Sequence, residues 1–229
     1  YTGIEVATNI QSFLIRNKLN KSAKRVIIVE RAPKILNMLP EWMQNYVELN
    51  LRQLGIETIT NTVIETVEGS SVCLSDKRSF SNAYLIWVAG VKTASYIQDL
   101  QVEKNAQGRI KTDCFLRLNE TCFVVGDAAY FNTSGNYLRM AIQFAITQGG
   151  HVADNLIRLI RGKKLLIFNP WDLGYIIPLA NNRACGKVMG LDLKGLLPLL
   201  LHYSMCIYRS YGARNKLGIL KDLLRGGVK

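Results

Sequence analysis

Three short apolar runs, separated by helix-like stretches, constrain the fold of this 229-residue chain most strongly. They are RVIIVE (25–30), AYLIWVAG (83–90) and CFVVGDAA (122–129), and an acid or a glycine stands at the end of each strand-like part. Continuous apolar runs of this length are typical of parallel strands that are buried on both faces. Because helical patterns alternate with these runs, the order predicts an α/β fold with a mainly parallel sheet.

Apolar spacing also predicts where the helices and the antiparallel strands lie. Ile10, Phe13 and Leu14 fall at helical intervals. Alternation from residue 56 to residue 76 indicates antiparallel strands, with a turn at Glu68–Ser71. Helices are predicted over 8–20, over 43–55 with Gly55 closing the helix, and over 141–162 with a break or bend near Gly149 and Gly150.

Gly3 and Glu30 suggest a dinucleotide site. Gly3 precedes a helix, as the third glycine of G-x-G-x-x-G does, where it allows the helix to pack closely on a strand. Glu30 ends the strand-like run RVIIVE, where an acid accepts hydrogen bonds from the adenosine ribose. The alternative for Glu30 is a solvated strand end without a ligand. The pair of residues, together with the other strand ends, favours the dinucleotide site.

Cysteine usage and basic charge limit the classes of function. The five cysteines form no CxxC pair, which argues against a zinc site or a disulfide framework. Residues 151–229 hold 13 Lys and Arg but only four acids. Such a basic region suits an anionic membrane surface or nucleic acid, or simply keeps the protein soluble. No nucleic-acid motif accompanies it, so nucleic acid is not predicted as a partner.

The C-terminal segment has the pattern of a basic amphipathic helix. Leu217, Leu220 and Leu224 share one helical face, with Ile219 and Leu223 beside it. Flanking positive charge comes from Lys216, Lys221 and Arg225. No apolar run reaches the ~20 residues that span a bilayer, so the pattern predicts a peripheral protein that lies on the membrane. The alternative is that these leucines pack in the core or form the contact of a homodimer.

Several motifs give the chain a specific resemblance. YTGIE, VIIVERAPKIL, LIWVAGV, GRIKTD and CFVVGDAA occur in the order found in flavoproteins with two dinucleotide-binding domains. The chain resembles the type II NADH dehydrogenase (NADH:quinone oxidoreductase) branch of the pyridine nucleotide–disulfide oxidoreductase family over nearly its whole length. By that resemblance the chain looks like the C-terminal part of a longer protein.

The resemblance implies a role for several residues. Gly3 would close the NADH fingerprint, Glu5 would lie near the nicotinamide and the flavin, and Glu30 would hold the NADH ribose. Gly90 would let the backbone approach the cofactor. Asp127, after Gly126, would accept a hydrogen bond from the ribityl chain of FAD; a residue in this position could also cap a helix.

The segment LRMAIQFAITQGG resembles a family motif, L-P-x-T-A-Q-x-A-x-Q-x-G, which faces the flavin and lines the quinone site. Gln143, Ala145 and Gly149 match it, so Gln143 and Ala145 are implied flavin contacts, and Gln143 together with Glu5 is implied in catalysis. Four positions depart from the motif: Arg139, Ala141, Ile142 and Thr147.

The resemblance implies an NADH-binding Rossmann domain over 1–112 with antiparallel crossover strands. The C-terminal part of an FAD-binding domain would follow over 113–164, and a mainly helical membrane-binding region over 165–229. The expected activity is hydride transfer from NADH to FAD and electron transfer to a membrane quinone, at the cytoplasmic face of the cell membrane. The alternatives are a flavoprotein with another acceptor, such as a sulfide:quinone reductase, and a non-catalytic nucleotide-binding redox sensor. Cys185 and Cys206 are predicted to be buried thiols.

Overall fold

The computed structural model describes residues 1–19, 24–133 and 136–226, without the side chains of 133, 136 and 222–226. The helices in these ranges are α1 (Thr2–Arg16), α2 (Glu41–Gln53), α3 (Ser95–Asp99), α4 (Ile142–Ile160), α5 (Leu196–Arg209) and α6 (Ala213–Gly226). The strands are β1 (Ile27–Val29), β2 (Glu57–Ile59), β3 (Ile64–Glu68), β4 (Ser71–Leu74), β5 (Ser79–Phe80), β6 (Ile110–Lys111), β7 (Ala129–Tyr130), β8 (Asn132–Thr133), β9 (Asn136–Tyr137), β10 (Gly174–Leu179), β11 (Arg183–Val188) and β12 (Leu191–Gly195).

The chain forms two compact units. The first unit contains residues 1–89 and 173–229, and the second contains residues 90–172. These units divide the chain at other positions than the expected domains 1–112, 113–164 and 165–229, which stay a prediction. Among the described residues, β1–β2 and β6–β7 are parallel pairs and the other three sheets are antiparallel, so the fold is mixed α/β and its sheets are not mainly parallel as predicted.

The first apolar run forms a parallel strand, as its composition predicts. Strand β1 pairs in parallel with β2, with Ile28 opposite Thr58. Helix α2 packs beside this pair through Met43, Val47 and Leu51, which are fully buried in the first core. The apolar face of α2 is therefore part of this core. The helix is closed by Gly55, whose φ of 73° suits a residue without Cβ.

The alternating segment 56–76 is only partly an antiparallel hairpin. Strands β3 and β4 form the predicted hairpin with its turn near Glu68–Ser71, and β5 extends it. The first strand of the segment, β2, pairs with β1 in parallel instead. Sequence alternation reports which faces are polar, but it does not report the direction of the neighbouring strand.

The prediction of a buried strand at AYLIWVAG is wrong in this structure. No strand includes residues 83–90 in the part of the chain that the structure describes. Tyr84 is 99% exposed and Trp87 is 70% exposed. The physical reason is that no described strand pairs with this segment, because a strand is buried only when its backbone N–H and C=O groups have partners.

The third apolar run is also not the predicted strand. Phe123 makes one isolated bridge with Arg117, and residues Gly126–Ala128 form a short 3-10 helix. The strand of this region is β7, which starts at Ala129 and pairs in parallel with β6. Two apolar residues of this run, Val124 and Ala129, are buried in a small hydrophobic core together with Ile97 and Ile110.

Two helices differ from their predicted form. The buried face of α1 contains Ile4, Ala7, Thr8 and Gln11, whereas Phe13 is 54% exposed. Helix α4 is one helix of 19 residues and runs without interruption through Gly149 and Gly150. Helical hydrogen bonding over many residues outweighs the cost of about 1 kcal/mol for each glycine.

The stretch 165–229 contains a sheet as well as helices, so the expectation of a mainly helical region needs correction. Strands β10, β11 and β12 form an antiparallel sheet in that order. A Cβ on Gly186 would lie 2.2 Å from the Tyr175 carbonyl oxygen, so this position excludes any side chain. Ile177, Leu179 and Cys185 pack from this sheet into the first core.

Helices α5 and α6 follow the sheet. Leu217 and Leu220 are exposed on α6, whereas the side chains of Leu223, Leu224 and Arg225 lie outside the described residues. No helix in the described part of the chain is both long and apolar enough to cross a membrane.

The two cysteines of this region differ in burial. The Cys185 thiol is buried, and burial raises its pKa to about 12. Cys206, predicted to be buried, is only half-buried on α5.

Candidate functional site

Gly3 lies in the first turn of α1, where a helix following a glycine was predicted. A Cβ built on Gly3 would lie 3.2 Å from the Val88 Cγ2 atom, which is closer than ordinary van der Waals contact. The absence of a side chain therefore permits a close approach between α1 and the segment at Val88. This is the packing role that the fingerprint assigns to its third glycine, although Val88 is not in a strand here.

Glu5 lies on α1, two residues after Gly3, and its side chain is half-buried. Burial raises the pKa of the Glu5 carboxyl group above its ordinary value of 4.5. Tyr203 and Cys206 of α5 are close enough to Glu5 for its charge to act on them. Burial is the largest cause that raises the pKa of each group, and the charge of Glu5 raises each pKa further. Glu5 therefore sits in a partly desolvated setting, as a group near a reaction centre often does.

Glu30 follows β1 directly, at the carboxyl end of the parallel strand pair. The Ala32 N–H donates to Glu30 Oε1 at 2.8 Å, and the Glu30 N–H donates to the Ile59 carbonyl oxygen at 2.8 Å. The carboxylate is thus held at the edge where parallel sheets bind ligands. One oxygen is engaged by the backbone, which fixes the direction of the other.

The second unit contains the Gly126–Asp127 pair in the short 3-10 helix Gly126–Ala128. Gly126 has φ of 65°, and a Cβ there would lie 3.4 Å from the Ala145 Cβ atom on α4. Asp127 is exposed at this turn. The predicted contacts Gly126, Asp127 and Ala145 therefore lie together, with the acid turned to solvent.

Gln143 lies in the first turn of α4, and its amide contacts a charged pair. The Gln143 Nε2 group donates to Asp172 Oδ1 at 2.8 Å. Arg139 donates from both terminal nitrogens to the same carboxylate, with Nη2 at 2.9 Å from Oδ1 and Nη1 bound to Oδ2. The guanidinium also stacks on the Phe144 ring at 5.3 Å. Arg139, which departs from the family motif, thus contributes to a network that contains Gln143.

Gly90 has φ of 91°, and a Cβ there would meet no atom within 4 Å. Its backbone conformation favours glycine and its surroundings are open, which fits a close approach of a ligand to the backbone. The structure places Gly3, Glu5 and Glu30 in the first unit, and Gly90, Gly126, Asp127, Gln143 and Ala145 in the second.

Two buried polar residues were not predicted. Gln148 is 1% exposed, and its Oε1 accepts a hydrogen bond of 2.6 Å from the Gly126 N–H. Arg109 is 2% exposed and donates to the carbonyl oxygens of Ala129 and Leu138. The sequence feature that could have identified Gln148 is its position at helical spacing between Phe144 and Val152. This spacing makes Gln148 a polar residue on the apolar face of the helix. For Arg109 the sequence shows only the GRIKTD motif.

The described residues contain no group of three or more His, Cys, Asp or Glu side chains that could hold a metal ion. A cavity in the second unit is lined in part by Thr112 and Asn119. Its lining contains none of the predicted site residues. The cations on its wall are paired, Arg117 with Asp113 at 2.9 Å and Lys111 with Glu103.

Comparison with known proteins gives one family and a consistent set of relatives. The family model described as pyridine nucleotide-disulphide oxidoreductase matches residues 1–149. A type II NADH:quinone oxidoreductase from Staphylococcus haemolyticus is 29% identical over 206 residues, which are 85% of this chain and 51% of the relative. The Staphylococcus epidermidis protein of the same description is 27% identical over the same shares. The chain therefore spans about half the length of these relatives.

Solved structures agree at the level of the fold. The structure of NDH2 from Plasmodium falciparum in complex with NADH matches with a TM-score of 0.82 at 14% identity, over 98% of this chain and 63% of that one. An NAD-dependent persulfide reductase from A. fulgidus matches with a TM-score of 0.59 at 17% identity, over 72% of this chain and 31% of that one. At these identities the likeness concerns the fold alone.

Proposed function

We propose that this chain, which belongs to the pyridine nucleotide-disulphide oxidoreductase family, carries the NADH side and part of the FAD side of an NADH:quinone oxidoreductase. The names of the relatives that it resembles support the reaction. Among the contacts, the observation that carries the proposal is the Gly126–Ala128 turn, which packs against α4 at Ala145 and presents the exposed Asp127.

NADH would bind in the first unit. Glu30 would accept a hydrogen bond from the adenosine ribose through the carboxylate oxygen that Ala32 does not engage. Gly3, without a side chain, leaves room for the start of α1 to approach its neighbours closely. An acid at Glu30 also disfavours a ribose 2′-phosphate through charge repulsion, which favours NADH over NADPH.

FAD would contact the second unit, and the residues there fit such a group. Asp127 is an exposed carboxylate and can accept a hydrogen bond from a ribityl hydroxyl. Gly126 and Gly90 both have positive φ, and the space around Gly90 is open to a ligand. When bound, FAD accepts hydride from NADH and delivers the electrons singly or in pairs to an acceptor. The chain's own part is to bind both cofactors, orient them and exclude water.

Glu5 and Gln143 are the side chains proposed to act near the reaction. Burial raises the pKa of Glu5, so its carboxyl group holds a proton to higher pH than a solvated glutamate does. Gln143 would orient an acceptor through its amide, which Asp172 holds in position at 2.8 Å. The quinone itself is proposed from the names of the relatives.

Membrane binding is proposed for the C-terminal helices, at the cytoplasmic face of the cell membrane. Leu217 is 64% exposed on α6, and Leu196 and Leu197 are 56% and 57% exposed at the start of α5. Lys216 and Lys221 flank the α6 leucines. An exposed apolar face flanked by cations suits an anionic lipid surface. A second copy of this chain on the same face is the competing occupant.

Flavin reduction tests the enzymatic proposal. Purified protein is loaded with FAD without oxygen, NADH is added, and the visible flavin absorbance is followed before and after addition of a soluble quinone. Bleaching by NADH and recovery with quinone are the expected results. Bleaching without recovery would reject the quinone, and bound flavin that NADH leaves unbleached would reject the dehydrogenase activity.

Vesicle binding tests the membrane proposal. The double variant Leu217→Glu, Leu220→Glu is compared with Leu49→Glu, which places a single glutamate on α2 at a leucine that is 52% exposed. The double variant should lose co-sedimentation with anionic vesicles, and Leu49→Glu should retain it. Equal binding by both variants would contradict the assignment, and loss of a dimer in sedimentation without a change in vesicle binding would favour the second copy.

A further inference from the structure

We propose that Gln148 and Arg109 are positioning residues that hold the Gly126–Ala129 turn in the conformation from which Asp127 binds FAD. This inference rests on the proposed function for the role of Asp127. The holding of the turn itself depends only on the contacts of the two side chains.

Gln148 holds the amino-terminal end of the turn. Its Oε1 atom accepts the Gly126 N–H at 2.6 Å, and the side chain is 1% exposed. A buried amide that loses its partner costs free energy, so this hydrogen bond selects one position of Gly126 against α4. The neighbouring Ala145 leaves little space at Gly126, since a Cβ there would lie 3.4 Å away.

Arg109 holds the carboxyl-terminal end of the turn. Its Nη2 group donates to the Ala129 carbonyl oxygen, and its Nη1 group donates to the Leu138 carbonyl oxygen at 2.9 Å. The guanidinium is almost completely buried, and its Nε has no acceptor among the described residues. A buried guanidinium is costly unless it is hydrogen-bonded, so these two carbonyl contacts hold Arg109 and the turn together.

The charge of Arg109 acts on Asp127. Burial lowers the pKa of the guanidinium, and the negative charge of Asp127 opposes that change. Arg109 thus contributes to the site through the backbone and through its field.

The turn needs these outside contacts because its own hydrogen bonding is slight. Inside the turn the Ala129 N–H donates to the Gly126 carbonyl oxygen. A single 3-10 turn is too short to be stable alone. Gln148 and Arg109 bind opposite ends of the turn, so both flanks of Asp127 are held by hydrogen bonds.

Matched variants separate positioning from general stability. Gln148→Met removes the acceptor at nearly constant length, and Gln148→Glu keeps an acceptor. Arg109→Met removes the guanidinium, and Arg109→Lys keeps a charge. The control is Asn155→Leu on the same helix. Asn155 is also fully buried, but its Oδ1 accepts the Leu166 N–H at 2.9 Å instead.

Amide hydrogen exchange, followed by NMR on the purified chain without FAD, reads the turn directly. Gln148→Met should speed exchange at the Gly126 amide about tenfold and leave the Leu166 amide unchanged, whereas Asn155→Leu should do the reverse. Gln148→Glu should restore slow exchange at Gly126. Unchanged exchange at Gly126 in Gln148→Met, or equal acceleration at both amides in both variants, would overturn the inference.

FAD titration measures how the loss of these contacts changes the affinity for FAD. Gln148→Met and Arg109→Met should each weaken FAD binding about tenfold, Arg109→Lys should weaken it less, and Asn155→Leu should bind as the parent does. Equal affinity in the parent and both Met variants would overturn the positioning role. A parent protein that does not bind FAD would reject the proposed function, while the exchange experiment still decides whether the two side chains hold the turn.

Discussion

Strand β1 and the segment from Tyr84 to Val88 are two apolar runs of one unit with opposite outcomes. Both are apolar and of strand length, and both were predicted to be buried parallel strands. Strand β1 pairs with β2 in parallel, and Ile27 and Val29 pack on a core that includes the buried Ile59. The segment 84–88 forms no strand, and Trp87 is 70% exposed.

The difference lies in the neighbours and not in the residues. Strand β1 has β2 at hydrogen-bonding distance on one side and the helix α1 packed against it. For residues 84–88 no ladder is present in the described part of the chain. An apolar run therefore indicates a tendency to be buried, whereas a strand requires a second strand that satisfies the backbone.

Hydrogen exchange should show the largest contrast between the two runs. The amides of Glu30 and Glu57, which donate to the Ile59 and Val26 carbonyl oxygens, should exchange at least about a thousandfold more slowly than amides of residues 84–88, because ladder amides exchange only when the unit opens. Mass spectrometry of proteolytic peptides measures both regions in one sample. Similar protection in both would show that residues 84–88 have a strand partner in solution.

Truncation of one isoleucine in each region should give the next largest contrast. Ile59 of β2 is 2% exposed, so Ile59→Ala should lower the free energy of unfolding by about 2 to 5 kcal/mol. Ile86 is 51% exposed, so Ile86→Ala should change it by less than about 0.5 kcal/mol. Urea denaturation of the two variants and the parent measures both values. A cost for Ile86→Ala as large as that for Ile59→Ala would contradict the exposure of residues 84–88.

Sequence patterns were sufficient for elements whose partners are near in the chain. The β3–β4 hairpin has its turn where alternation places it, and α2 is closed by Gly55 as predicted. The patterns failed where the partner is distant, as at residues 83–90 and for the direction of β2. Long-range pairing depends on the whole topology, which local periodicity does not contain.

The sequence names candidate site residues, which stay a prediction, but it does not name the side chains that hold them in place. Gly126, Asp127 and Ala145 were named from a motif, and the structure places them together at one turn. Gln148 and Arg109 were not predicted as site residues, because a buried polar side chain is recognised by its hydrogen-bond partners. Neither the Gly126 amide nor the Ala129 carbonyl group can be assigned to a partner from spacing alone.

Substitution of Gly3 tests how firmly Val88 is held. A Cβ on Gly3 would lie 3.2 Å from Val88 Cγ2, so the result depends on whether Val88 can move. Because no ladder anchors this segment in the described part of the chain, Gly3→Ala should raise the free energy of unfolding by up to about 0.5 kcal/mol through helix propensity. Urea denaturation measures the change. A loss of stability that is rescued by Val88→Ala would mean that Val88 is held in place. That result would contradict the difference between residues 84–88 and β1.

Substitution of Glu5 should give the smallest effect. It tests the region of β1, because Glu5 lies on the helix that packs against this strand. Helix α1 packs on β1, and the burial of Glu5 raises the pKa of its carboxyl group above 4.5. The folded state therefore holds the Glu5 proton more tightly than the unfolded state, and stability falls as the pH rises from 4.5 through the folded pKa. Glu5→Gln removes this loss, so it should raise the Tm slightly at pH about 8 and leave it unchanged at pH about 4. Thermal unfolding at the two pH values, with the exposed Glu120→Gln as the control, measures the difference. If Glu5→Gln lowered the Tm at the higher pH, the ionised carboxylate would have a stabilising partner, and burial would not be the dominant influence on Glu5.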